Sequence, residues 1–118
     1  MRRMTENQNE AYQNIAQELR RGVLILATLS QLEQTKYGYS LISDLAARGL
    51  EIDQGTLYPL LRRLESQGLL ESSWNTEGSR PRRYYALSTA GQAVLSALAA
   101  DWRSLAAVME NLLVVAKK

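Results

Sequence analysis

A chain of 118 residues, 46% hydrophobic and 22% charged, is sized and composed for one folded domain rather than a disordered segment. It has no cysteine and no histidine, which removes thiol chemistry, disulfides, imidazole bases and the usual zinc ligands together. The net charge of +2 is small, but the basic residues are bunched (Arg2–Arg3, Arg20–Arg21, Arg62–Arg63, Arg80/Arg82/Arg83, Lys117–Lys118) while the acids are scattered, so a local positive surface is expected.

The N-terminal "MRRMTENQNEAYQN" lacks the apolar stretch of a signal peptide, and residues 1–9 read as a polar, flexible segment. Tyr12, Ile15, Leu19, Leu26 and Leu29 recur at helical spacing and predict a first helix from about Glu10 to Leu32. Its apolar run "GVLILATL" is too short to cross a membrane. "EQTKYG" breaks the pattern. "YSLISDLAARG" predicts a short second helix with Leu41 and Leu45 inward, stopped by Gly49. Asp53 is the expected N-cap of a third helix, with Leu57, Leu60, Leu61 and Leu64 on one face and Gly68 as its stop. Pro59 admits two readings: a helix starting at Gln54 is interrupted just past its first turn, whereas one starting nearer Thr56 loses no hydrogen bond.

Beyond Gly68 the period changes to alternation. "LLESSWN" and "RRYYALS" predict two strands of a hairpin, joined by "TEGSRP" with Gly78 and Pro81 as turn residues. A last helix, capped by Ser88 or Thr89, carries Leu95, Leu98, Trp102, Leu105, Met109, Leu112 and Ala116 at alternating spacings of 3 and 4. At roughly 28 residues it is about 40 Å long. That exceeds what a compact domain of this size needs, so its seam calls for a cover, most simply a second copy of the chain.

Three helices, a hairpin and a long helix make a mainly α fold with a small β-hairpin: a winged helix-turn-helix over 10–87 plus a C-terminal dimerisation helix over 88–118. In such a fold the third helix enters the major groove. Opposite its leucines stand Gln54, Gly55, Tyr58, Pro59 and Arg62, with Thr56 near the start. Gln and Arg read base edges; Thr and Tyr suit phosphates or methyl groups. Arg80, Arg82 and Arg83 on the hairpin, stiffened by Pro81, would meet phosphates or the neighbouring minor groove. Lys36 and Ser40 are further phosphate candidates. Each has a plainer reading: a solvated Arg62–Arg63 face with one member paired to Glu65 or Glu51, a solubilising hairpin loop, and a Tyr58 that packs rather than reads. Tyr37 and Tyr39 read as helix-packing residues, and Tyr84 and Tyr85 as anchors on opposite faces of the return strand.

"YGYSLISDL", "GTLYPLLRRLESQGLLESSW" and "GSRPRRYYALSTAG" closely resemble the PadR family of bacterial transcriptional regulators, over roughly Tyr37 to Gly91. The chain length and single C-terminal helix resemble its small subgroup. The resemblance implies a homodimeric cytoplasmic repressor, released by a small aromatic or drug-like effector. It places Thr56, Tyr58, Pro59, Arg62, Arg80, Arg82, Arg83 and Tyr84 at the family's helix and wing positions. Ser79 stands where glycine is common in the family.

The expected activity is sequence-specific binding to a pseudo-palindromic operator in double-stranded DNA. The dimer interface would comprise Leu95, Leu98, Trp102, Leu105, Met109 and Leu112. Trp102 has two readings. It fills the dimer core, or it lines an intersubunit effector pocket with Leu98, Met109, Ile15 and Leu19, where a flat ring beside a flexible thioether suits planar ligands. The competing class is a winged-helix protein–protein module without DNA binding. With no nucleophile–base pair, phosphate loop or metal cluster, neither an enzyme nor a cofactor or metal site is expected.

Overall fold

The computed structural model describes residues 3–115, so the expectations that fall on Arg2, Ala116, Lys117 and Lys118 lie outside the described residues. Helix α1 (Glu6–Gln31) starts earlier than its apolar spacing predicts. The Gln8 N–H donates to the Thr5 hydroxyl, and the Thr5 N–H donates to Gln8 Oε1. This reciprocal cap satisfies two donors that a helix start leaves open, and residues 6–9, which read as flexible, are helical.

Helix α2 (Gly38–Ala47) and helix α3 (Gln54–Ser66) end in the same way. Gly49 and Gly68 adopt φ of 98° and 81°, which side chains other than glycine's strongly disfavour. Each lets the following N–H reach back, Leu50 to the Leu45 carbonyl and Leu69 to the Leu64 carbonyl. At the front of α3, Asp53 accepts the Thr56 N–H at 3.0 Å. The helix therefore begins at Gln54 and Pro59 lies inside it. Proline has no N–H to offer the Gly55 carbonyl four residues back, and Gly55 is exposed to solvent.

The two hairpin strands, β2 (Leu70–Asn75) and β3 (Arg82–Leu87), pair antiparallel with Leu70 opposite Leu87 and Asn75 opposite Arg82. A third strand, β1 (Lys36–Tyr37), falls where the sequence reads only as a break. It pairs with the other edge of β3, giving the order β1-β3-β2. Two residues carry no periodicity, so sequence pattern alone had nothing to detect.

Leu29 and Leu32 of α1, Leu41 and Leu45 of α2, and Leu57, Leu61 and Leu64 of α3 form the buried core, closed by Leu70, Tyr85 and Leu95. Full burial of each such side chain stabilises by about 1.5–3 kcal/mol. Leu60, expected on the same face, is half-buried at its margin. Tyr85 is in the core and Tyr84 half-buried, as alternation along a strand requires; the Tyr84 ring meets Tyr37 edge-on at 5.4 Å.

Helix α4 (Thr89–Val115) is tied to this core at its start. Ser88 caps it, accepting the Gly91 N–H at 3.0 Å while its hydroxyl donates to the Gly68 carbonyl. The Ser88 N–H donates to the Leu69 carbonyl, and one residue earlier the Leu87 N–H donates to the Leu32 carbonyl of the α1 end. Leu95 and, more marginally, Val94 and Leu98 pack on the core, whereas the helix beyond Trp102 carries its large apolar side chains in solvent.

Two tests follow from this packing. A Cβ on Gly91 would lie 2.1 Å from the Leu69 carbonyl oxygen, so the backbones must separate to admit it. Gly91→Ala is expected to cost about 1–3 kcal/mol, read as a Tm several degrees lower in a thermal melt. Separately, hydrogen bonding from the Thr56 side chain, and then from its N–H, holds the Asp53 carboxyl below its ordinary value. The stability this contributes is present above the unfolded value near 3.8 and is lost as pH falls through the lower folded value. Asp53→Asn keeps a capping oxygen but not the charge, so the wild type is expected to lose Tm relative to that variant on acidification through this range.

Candidate nucleic-acid interface

The third helix presents its N-terminal turn outward because its leucines are committed to the core. Gln54, Gly55 and Thr56 are exposed there, and Arg62 is exposed two turns on. Tyr58 is half-buried instead. Its ring lies over the backbone of Gly38, where a Cβ would come 2.3 Å from Tyr58 Cε1. Of the two roles the sequence left open for Tyr58, packing is the one visible in the geometry: it seats α3 on the start of α2. Tyr37 packs as expected, but Tyr39 is exposed.

Ser40 sits half-buried in the first turn of α2. Lys36 is also half-buried, and its ammonium is ion-paired with Asp44. A cation already neutralised in this way is a weaker phosphate ligand than one free in solvent.

The three wing arginines have three different environments. Arg80 is exposed at the hairpin tip. The Arg82 guanidinium lies 4.6 Å from the centroid of the Tyr37 ring, which restrains it on the β1 side of the sheet. Arg83 turns to the opposite side, towards α3. Its Nε donates to the Ser72 hydroxyl at 3.0 Å and its Nη2 to Glu65 at 3.2 Å. Thus Glu65 pairs with Arg83 of the wing, not with a neighbour on its own helix. Glu51 engages Arg20 through its carbonyl, at 2.9 Å.

Trp74 was not singled out from the sequence. It stands on β2 directly opposite Arg83, is 62% exposed, and its ring centroid is 5.7 Å from the Arg83 guanidinium. The signal was present: Leu70, Ser72 and Trp74 alternate onto the face of β2 that looks towards α3. The opposition of Trp74 and Arg83 required the strand register, which the hairpin's six-residue connection does not specify.

The residues expected between subunits divide into two groups. Leu95 is buried in the chain's own core and Leu98 is half-buried beside it. Trp102, Leu105, Met109 and Leu112 are exposed along α4, and Ile15 and Leu19 are exposed along α1.

Comparison with known proteins agrees with this architecture. The Transcriptional regulator PadR-like family matches residues 25–97, from the last two turns of α1 into the first turns of α4. A PadR family transcriptional regulator from Eggerthella lenta is 44% identical and superposes with a TM-score of 0.82 over 92% of this chain and 97% of that one. A PadR-like transcriptional regulator from Bacillus cereus is 28% identical, with a TM-score of 0.73 over 81% of this chain and 96% of that one. Transcriptional regulator Rv3488 of Mycobacterium tuberculosis is 42% identical over 60 residues, which is 51% of this chain and 56% of that protein. These relatives are regulators, not enzymes. A winged helix with an outward-facing third helix, matched over more than half its length by one family, identifies the chain as a member of the PadR-like transcriptional regulators.

Proposed function

We propose that this protein is a homodimeric, sequence-specific repressor that binds a pseudo-palindromic operator and is released by a small aromatic or drug-like effector. The observation that carries the reading is the exposed apolar side of α4. Leu105, Val108, Leu112 and Leu113 are more than half exposed in the single chain, a stripe of the kind that marks a protein–protein interface. A twofold pairing through α4, with 88–118 as the dimerisation segment, would carry two copies of the 10–87 unit. Their α3 helices would enter successive major grooves about 34 Å apart.

Within each half, Gln54, Thr56 and Arg62 read base edges or methyl groups, and Gly55 lets the backbone approach closely. Arg80 and Arg82 hold phosphates, supported by Lys36 of β1 and Ser40 of α2. Tyr58 acts by fixing the angle of α3. An effector enters between the subunits against Trp102, Met109, Leu98, Ile15 and Leu19. It acts by favouring one spacing of the two reading heads over the other. The action on DNA places the protein in the cytoplasm.

Fluorescence anisotropy with a labelled duplex from upstream of the protein's own operon, against random duplex, tests the reading. Tighter operator binding that weakens steeply with salt is expected; indifference to sequence or salt would leave the protein–protein module in its place. Arg80→Ala combined with Arg82→Ala is expected to weaken all duplexes and flatten the log K against log[salt] slope by roughly 1.8, about 0.9 for each phosphate contact. Leu105→Glu combined with Leu112→Glu changes only side chains exposed in the single chain. It is expected to give a folded monomer by sedimentation, with operator affinity at least about 100-fold lower because the two half-sites are no longer engaged together.

A further inference from the structure

We propose that Glu65 is a selectivity-determining residue that holds Arg83 away from the phosphate backbone and thereby lowers binding to non-operator DNA. The inference rests on the DNA-binding reading above. Arg83, Ser72 and Glu65 form a closed ring across three elements: Arg83 Nε donates to Ser72 Oγ, Arg83 Nη2 donates to both Glu65 oxygens at 3.2 and 3.4 Å, and Ser72 Oγ donates to Glu65 Oε2. The ring joins the last turn of α3 to both wing strands. Trp74 and Tyr85 flank it, their ring centroids 5.7 and 5.8 Å from the guanidinium.

Stability alone does not explain this arrangement. The side chains of Arg83 and Glu65 are 40% and 28% exposed, so water screens the pair and its contribution to folding is modest. A carboxylate between a recognition helix and a basic wing also repels the very backbone the wing is built to approach. Its effect is electrostatic and geometric together. It removes one arginine from the charge-driven attraction that every DNA sequence shares. It also fixes the wing against α3, so that Arg80 and Arg82 reach phosphates only when α3 is seated in the groove. Both effects lower the affinity for random duplex more than the affinity for operator, and specificity is that ratio.

Glu65→Gln preserves the side chain's shape but replaces the charged, two-oxygen acceptor of Arg83 with a neutral one that a phosphate outcompetes. Anisotropy titrations with operator and random duplex over a salt series are expected to show three changes: random-duplex affinity rising roughly tenfold at low salt, a salt slope steeper by about 0.9, and a smaller operator-to-random ratio. A brace with only a structural role would instead weaken both duplexes with no change of slope, and that result overturns the proposal. Arg83→Gln in the wild-type background gives an independent reading. An unchanged slope supports the assignment, because Arg83 is already withheld; a slope flatter by about 0.9 means that Arg83 contacts phosphate in the native protein and overturns it. Should Glu65→Gln fail to fold, the Arg83→Gln result alone decides. Wild-type protein that binds no duplex refutes the DNA-binding reading and this inference together, whereas wild-type binding with either adverse slope refutes the inference alone.

Discussion

The architecture turns on the Leu69 carbonyl. That oxygen accepts the Ser88 N–H and lies directly beneath the bare Cα of Gly91. One peptide group therefore links the end of α3, the return from the wing and the first turn of α4. Gly68 and Leu69 bring the chain out of α3 in a fixed direction, and the Ser88 hydroxyl, bonded to Gly68, starts α4 against it. The angle at which α4 leaves α3 is consequently built into a few backbone contacts. In a regulator that pairs through α4, that angle would set how far apart the two reading heads stand.

The helices were legible because each carries its own punctuation. Leu41 and Leu45, then Leu57, Leu61 and Leu64, announce two apolar faces, and Asp53, Gly49 and Gly68 mark the boundaries where the structure has them. The start of α1 is not marked by apolar spacing, because its first five residues, Glu6–Glu10, are all polar; only the spacing of Thr5 and Gln8, that of a reciprocal cap, signals it. Strand β1 was missed for a deeper reason: two residues become a strand only because β3 offers them an unpaired edge, and that is a property of the fold.

The basic wing was legible in composition and not in detail. Three arginines on a hairpin announce positive charge, but the strand alternation that sends Arg82 towards Tyr37 sends Arg83 towards Glu65. Sequence proximity groups them; the pleat separates them. The same distinction applies to the apolar seam of α4. Leu95 and Leu105 belong to one heptad pattern, yet the first is consumed by the core of its own chain and the second is left in water. Periodicity shows that a helix has an apolar side without showing where along it the neighbour changes.

Pro59 has a mechanical consequence for the start of α3. The rung it omits would have ended on the carbonyl of Gly55, the residue with the greatest backbone freedom in the helix. The leading turn of α3 is thus joined to the rest by one fewer crosslink, and is held at its tip by Asp53. Behind it, Leu57, Leu61 and Leu64 are locked in the core. The helix thus has a less crosslinked tip on a packed shaft, and if α3 enters a groove as proposed, residues 54–56 are the part whose backbone has room to adjust to its shape.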